Sequence, residues 1–493
     1  MRATLRRRKD SMTDKVRQAS IAAEQDGHHP LEDLFHHRSI AVVGASTRPN
    51  GAGNEFLRGF MKMNFPGPLY PINPKATEIL SLKAYPSILD IEGPLDYVIS
   101  SIPALGVPEL IRQCAQKGVK LVHMFTAGFH ESGEQDRAEL EEEIARTGKE
   151  GGVRLLGPNC MGIYSPGTNL SWSPEFPVEP GSVGFISQSG ANASDMVGAG
   201  GRRGLRFSKV ISFGNALDIN ESDLMEYLSQ DTETEMIAAY VEGIREGARF
   251  ARALRDACRR KPVIVIKGGS TDEGRKAALS HTASLSGPEQ IWRGLMKQSG
   301  AVSAASLEEM SDILMTFSLM PKLSGRNVAL IGAGGGANVL ACDAFSNHGF
   351  RIPTFNNETQ KKLRQFIPLS GTWVVNPVDF SPQTAGDPVL TSKAIEIMAN
   401  VKEIDVIILH YMVVSWGMGG GDRAKDVAGS VSEVSKRIKK PLAVVLETHG
   451  TPDICKTAYE IKLDWIKAGM CVYPDIERAA ICLGKLARYH GIF

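Results

Sequence analysis

Ser39-Ile-Ala-Val-Val-Gly-Ala-Ser46 is a short apolar strand, Ser39–Val43, running into a turn of small residues. Thr47-Arg-Pro-Asn-Gly-Ala-Gly53 follows, and a helix is predicted from Asn54. Strand, small-residue turn and helix open a βαβ nucleotide-binding unit, in which free amides at the helix N-terminus meet phosphate. The dinucleotide fingerprint is absent. Gly44, Ala45 and Ser46 do not give GxGxxG, and the second strand ends in Tyr70-Pro-Ile-Asn-Pro-Lys75 without an acidic residue for a ribose. Both points argue against a nicotinamide oxidoreductase. Lys75 suits a ligand with an additional phosphate and reads equally well as a surface lysine after a turn.

The same rhythm continues down the chain. Tyr97–Pro103, a helix over Val107–Lys117 and the strand Lys120–Phe125 complete the first unit, and Gly151-Gly152 marks a boundary. Ser182-Val-Gly-Phe-Ile-Ser-Gln-Ser-Gly190 is again strand, turn and an Ala/Gly-rich helix, with Ser187, Gln188, Ser189 and Gly190 offering more donors to an anion than one N-cap requires. Met236–Tyr240 and Val263–Lys267 are further strands. A third unit begins with Asn327-Val-Ala-Leu-Ile-Gly-Ala-Gly-Gly-Gly-Ala-Asn338, where Gly334, Gly335 and Gly336 either admit a ligand to the backbone or serve tight strand–helix packing. The expected fold class is α/β, with three Rossmann- or flavodoxin-like doubly wound units in series and ligands at the carboxyl ends of parallel strands. The expected domains are a disordered basic tail over 1–30 and units over 31–150, 151–310 and 320–493.

Composition agrees with a folded multidomain chain: 493 residues, 42% hydrophobic and 23% charged. A net charge of +1 recommends neither nucleic acid nor an anionic membrane as partner. The seven cysteines show no CxxC pair and no zinc spacing, so no metal site is expected and a reducing, cytoplasmic location is. The basic N-terminus lacks the apolar run of a secretory signal, and no stretch is long and apolar enough to span a bilayer.

After the strand Val263–Lys267 comes Gly268–Gly274 and then Lys276-Ala-Ala-Leu-Ser-His-Thr-Ala-Ser-Leu-Ser-Gly287. Glycine on both sides predicts that His281 sits on a loop able to move, where an α/β active site is expected; a plain solvated loop is the competing reading.

Taken together, VVGAS (Val42–Ser46), YPINPK (Tyr70–Lys75), TAGF (Thr126–Phe129), GPNCMG (Gly157–Gly162), ISQSG (Ile186–Gly190), SFGNALD (Ser212–Asp218), YVEG (Tyr240–Gly243), KAALSHT (Lys276–Thr282) and NPVD (Asn376–Asp379) resemble the NDP-forming acyl-CoA synthetases. The resemblance covers about positions 35–493, in the family's order. It implies a three-stage reaction in which ATP phosphorylates a histidine, phosphohistidine converts a carboxylate to an acyl phosphate, and coenzyme A displaces phosphate. By resemblance His281 is the phosphorylated residue and Glu226 the carboxylate that fixes its tautomer. Gly44, Ala45, Ser46, Lys75, Ile102, Pro103 and Asn159 fall at the coenzyme A site, and Ser187–Gly190 with Gly334–Gly336 at two helix N-termini facing the phosphate. Cys160 is not expected to be catalytic, since the attacking sulfur belongs to coenzyme A. The family commonly has a glycine where this chain has Ala283, which implies a stiffer loop.

No ATP-grasp module is recognisable, so the resemblance implies the α subunit of a two-gene ligase. A separate ATP-grasp β subunit would carry ATP/ADP and Mg²⁺ in a hetero-oligomer. The carboxylate pocket is expected near Thr126–Phe129, Gly214-Asn215 and the third unit. A non-catalytic coenzyme A or acyl-CoA-binding protein of the same fold is the alternative.

Overall fold

The computed structural model describes residues 29–282, 288–369, 371–380, 386–414 and 420–493. In the first sheet β1 (Ile40–Val43), β2 (Leu69–Ile72), β5 (Tyr97–Ser100), β6 (Leu121–Met124) and β7 (Arg154–Leu156) run parallel in the order β2-β1-β5-β6-β7. A small hairpin, β3 (Glu78–Ile79) and β4 (Leu82–Lys83), stands apart from it. The strands read as unbroken apolar runs because helices cover both faces. These helices are α1 (Ala52–Lys62), α2 (Val107–Lys117) and α3 (Gln135–Gly151).

The boundary expected at Gly151-Gly152 is a helix stop instead. Gly152 has φ 69° and caps α3 in the left-handed conformation, and the chain then returns to the first sheet as β7.

The second sheet has the order β13-β12-β11-β9-β10-β8, from β8 (Gly162–Tyr164), β9 (Val183–Ser187), β10 (Phe207–Ser212), β11 (Met236–Val241), β12 (Val263–Lys267) and β13 (Val302–Ser303). Only β8 runs antiparallel to its neighbour among these described strands. The connections are α4 (Gly190–Gly201), α5 (Glu221–Gln230), α6 (Gly247–Arg260), α7 (Asp272–Thr282) and α8 (Glu289–Ser299). From β9 the chain adds β10 on one side and then β11 on the other, which makes the carboxyl end of β9 the switch point where a doubly wound sheet opens a crevice.

The third sheet has the order β15-β16-β14-β17-β18-β19, with β14 (Val328–Ala333), β15 (Trp373–Val374), β16 (Val378–Phe380), β17 (Val406–Val414), β18 (Leu442–His449) and β19 (Cys471–Tyr473). Its helices include α9 (Leu307–Leu319), α10 (Gly335–Asn347), α11 (Asn357–Arg364), α12 (Pro388–Ala399), α13 (Gly420–Arg437), α14 (Pro452–Lys467) and α15 (Ile476–Tyr489). Two compact units result. One holds the chain up to Gly198 with Arg206–Ser303, and so both of the first two sheets; the other holds Ala199–Leu205 and Ala304–Phe493. The second unit therefore begins before position 320. Its α9 is bound to α15, where Asp312 pairs with Arg478 and Glu309 with Lys485. No described helix is long and apolar enough to cross a membrane.

Candidate active site

The carboxyl ends of β1, β2 and β5 meet around Gly44. Its φ of 100° lies where glycine is favoured, and a Cβ there would stand 2.4 Å from the Ser101 carbonyl oxygen. Asn54 of α1 fixes the turn, accepting the Ser46 N–H at 3.0 Å and donating to the Ser46 and Arg48 carbonyls at 2.8 and 2.9 Å. Asn73, just past β2, ties in the next loop by donating to the Ala45 carbonyl at 2.7 Å and accepting the Lys75 N–H at 2.9 Å. Gly44, Ala45, Ser46 and exposed Lys75 thus share one rim, which Ile102 and Pro103 extend after β5. The N-cap of α1, Gly51, supplies no side-chain cap. Close backbone approach, an uncapped helix start and a lysine fit a phosphate-bearing ligand such as coenzyme A.

Asn159 lies farther along these strand ends, its N–H donating to the Thr126 carbonyl at 2.9 Å. Cys160 beside it is buried, and burial pushes its thiol up, so it is no nucleophile at neutral pH.

At the switch point of the second sheet, Ser187–Gly190 is braced on several sides. The Ser187 carbonyl accepts the Phe213 N–H at 3.0 Å, and the Gln188 N–H donates to the Tyr240 carbonyl at 3.0 Å. Ser187 Oγ donates to the Ser189 carbonyl at 2.6 Å, and Ser189 Oγ accepts the Asn192 N–H at 3.3 Å. Gln188 Oε1 accepts the N–H groups of Glu242 and Gly243 at 2.7 and 3.1 Å. Those side chains, read from sequence as anion donors, hold the turn itself. An anion at this turn would meet the amides that open α4.

His281 lies in the last turn of α7 rather than on a loop. Thr271 caps that helix, its Oγ1 accepting the Gly274 N–H at 3.0 Å, and Lys276-Ala-Ala-Leu is a run of good helix formers. The side chain of His281 and all of 283–287, Ala283 included, lie outside the described residues. α7 packs alongside the turn His130–Ser132, which follows Thr126–Phe129.

Glu226 is not brought to the turn. Arg249 engages its carboxylate through Nε at 3.2 Å and Nη2 at 2.7 Å, in a helix–helix ion pair between α5 and α6 that Asp223 shares at 2.6 Å. The carboxylate that the fold does bring there is Glu242, immediately after β11 and 6% exposed. Tyr240 Oη donates to its Oε1 at 3.0 Å, and Lys267 Nζ donates to its carbonyl at 2.6 Å. Sequence reasoning passed over Glu242 although it lies within YVEG. The signal was its place directly after a parallel strand, whereas Glu226 sits on a helix surface.

The loops expected to line a carboxylate pocket are already linked by one. Glu131 Oε1 accepts the Gly128 and Phe129 N–H groups at 2.7 and 3.2 Å, while its Oε2 accepts from Asn215 Nδ2 at 2.6 Å. In the second unit α10 starts at an uncapped Gly334, φ 108°, whose N–H donates to Asp379 Oδ1 at 3.0 Å. Burial holds the Asp379 carboxyl above its usual range. A cleft of about 430 Å³ opens there between Gly335, Asn338, Trp373 and Asp379.

Comparison with known proteins agrees with this layout. The CoA binding domain model matches residues 38–166, and the succinyl-CoA ligase like flavodoxin domain model matches 180–317. The Acetate–CoA ligase [ADP-forming] II subunit alpha of Pyrococcus furiosus is 35% identical over 94% of this chain and 99% of its own length. The chain belongs to the NDP-forming acyl-CoA synthetases. A second member, the Acetate–CoA ligase [ADP-forming] I of Archaeoglobus fulgidus, is 36% identical over 77% of this chain, which spans about half (54%) of that longer protein. Among solved structures, the dinucleotide forming acetyl-coenzyme A synthetase 1 of Ca. Korarchaeum cryptofilum, in complex with phosphate and ADP, superposes with a TM-score of 0.79 at 31% identity, covering 94% of this chain and 98% of that one. This NDP-forming acyl-CoA synthetase chain carries a CoA-binding domain followed by the ligase-like flavodoxin domain.

Proposed function

We propose that this chain is the α subunit of an ADP-forming acid–CoA ligase, making an acyl-CoA from a carboxylate, coenzyme A and ATP. A separate ATP-grasp β subunit supplies the nucleotide site, with Mg²⁺ accompanying the nucleotide as substrate, and the two work as a cytoplasmic heteromer. The observation that carries this is the convergence, at one sheet switch point, of the Ser187–Gly190 turn and the buried Glu242, with the His281 helix following the neighbouring strand.

Neutral imidazole is the nucleophile, and free imidazole, with a pKa of about 6.5, is mostly unprotonated at neutral pH. Glu242 receives the imidazole N–H, which directs the other nitrogen to phosphorus and stabilises the ring as charge grows. The amides that open α4 neutralise the phosphoryl oxygens. Phosphoryl passes from His281 to the acid, the imidazole takes back its lone pair, and the thiolate of coenzyme A, held on the Gly44–Lys75 rim, attacks the acyl carbon and expels inorganic phosphate, leaving the thioester. Mixed with its β subunit, Mg²⁺ and terminally labelled ATP, the chain takes up acid-labile, base-stable label, and His281→Ala takes up none while still binding coenzyme A. Absence of label on the parent chain with an active partner contradicts the assignment.

A further inference from the structure

Tyr240 is the penultimate residue of β11, and Glu242 follows the end of that strand. Residues two apart on an extended chain share a face, so the phenol and the carboxylate are neighbours by register. Tyr240 Oη donates to Glu242 Oε1 at 3.0 Å, and the side chain of Asn192, in the first turn of α4, hydrogen-bonds the same phenol. Gly268, just past β12, leaves room for both: a Cβ there would stand 2.8 Å from the phenol oxygen and 3.0 Å from Glu242 Cγ. The Glu242 backbone is held separately, its N–H donating to Gln188 Oε1 at 2.7 Å and its carbonyl accepting from Lys267 Nζ at 2.6 Å. Those backbone bonds do not set the side-chain torsions of Glu242, and the phenol acts on them.

We propose that Tyr240 is a positioning residue for the phosphorylation of His281, acting through Glu242. This rests on the ligase reading above, in which Glu242 receives the imidazole N–H. A carboxylate that orients an imidazole must stay ionised and keep one rotamer while charge grows on the ring. A hydrogen bond donated to a carboxylate favours its charged form and fixes its direction. Burial, reinforced by the charge of Glu242, raises the Tyr240 phenol above its usual range, so the hydroxyl remains a donor at neutral pH. Through Asn192 the same phenol is tied to the first turn of α4, whose amides face the anion. The orienting carboxylate and the helix start are thereby set by one hydroxyl, in a chain of hydrogen bonds whose members strengthen one another.

Rapid-quench labelling of the full chain with its β subunit, Mg²⁺ and terminally labelled ATP tests the idea. Tyr240→Phe keeps the ring and removes the donor. It should slow labelling of His281 by about 10-fold at saturating ATP, while the ATP concentration for half-maximal rate stays within ~2-fold of the parent's. Coenzyme A affinity should not change, which reports that the ring still packs. In a Glu242→Ala background, where the group it acts through is gone, the same Tyr240→Phe change should cost less than ~2-fold. Labelling of Tyr240→Phe at the parent's rate overturns the proposal. So does an equal loss in both backgrounds, or a Tyr240→Phe chain that no longer binds coenzyme A, because the phenol then serves packing alone. A Glu242→Ala chain that labels as fast as the parent would instead remove Glu242 from the reaction, and the proposal would fall with that part of the ligase reading rather than through Tyr240.

Discussion

The turn at Ser187–Gly190 and the turn at Gly334–Gly336 each follow a strand at the centre of a sheet and open a helix, yet they are built in opposite ways. The first is braced by side chains: Gln188 holds two amides of the β11 end, Ser189 caps α4, and Glu242 stands buried alongside. The second has no side chains of its own, only Asp379 on the Gly334 amide and an open cleft beside Trp373. A braced turn gives fixed dipoles, which suits a phosphoryl group that must always arrive in one position. A bare glycine turn accepts more than one ligand shape at its surface.

The strongest way to break this contrast is at the carboxylates. Glu242→Gln should lower the rate of His281 phosphorylation by about 10²-fold, as expected when a buried orienting acid is lost. Glu226→Gln, which removes only a half-exposed ion pair with Arg249, should leave the rate within about 3-fold and cost at most ~1 kcal/mol of stability. Rapid-quench labelling of the two variants decides between the residues, and a larger defect at Glu226 would reverse the assignment.

Next comes the bracing itself. Gln188→Ala leaves the buried Glu242 and Gly243 amides without their acceptor and should cost about 2 kcal/mol in urea unfolding. Gly336→Ala, whose Cβ meets nothing within 4 Å, should stay within ~0.5 kcal/mol of the parent. Equal costs would erase the distinction between the turns.

The smallest effect concerns Asp379. Its carboxyl is raised in the folded chain by burial. Its contribution to stability is therefore fully present below the unfolded carboxyl range, about pH 4, and is lost as pH rises through the raised native value. Asp379→Asn, which keeps the acceptor for Gly334, should lose slightly less stability than the parent between about pH 4 and 7, read by urea unfolding at both values. An identical pH response in the two chains contradicts a raised carboxyl.

Fold class, the three-sheet order and the strand-end turns were legible in the sequence because each unit writes an apolar strand directly before a small-residue turn. Boundaries were not. Gly151-Gly152 reads as a linker, but glycine is also what a helix cap in the left-handed conformation requires, and only strand pairing tells the two apart. Helix α7 was hidden because Gly274 suggests a loop, while Thr271 and the Ala-rich run after it favour a helix. Glu226 and Glu242 are both acidic residues near the expected site, and separating them needs the three-dimensional partner, Arg249 in one case and the Gln188 turn in the other. The Glu131 carboxylate on the Gly128 and Phe129 amides joins residues of two domains through Asn215, which no spacing pattern reveals.

One measurement tests the central claim without the β subunit: the chain alone is incubated with an acyl-CoA and labelled inorganic phosphate. Run in reverse, phosphate displaces coenzyme A to give acyl phosphate, and the imidazole of His281 then takes the phosphoryl group and releases the carboxylate. The account predicts acid-labile label on the peptide that contains His281, abolished in His281→Ala and strongly reduced in Glu242→Gln. An unlabelled parent chain that still binds coenzyme A would contradict it.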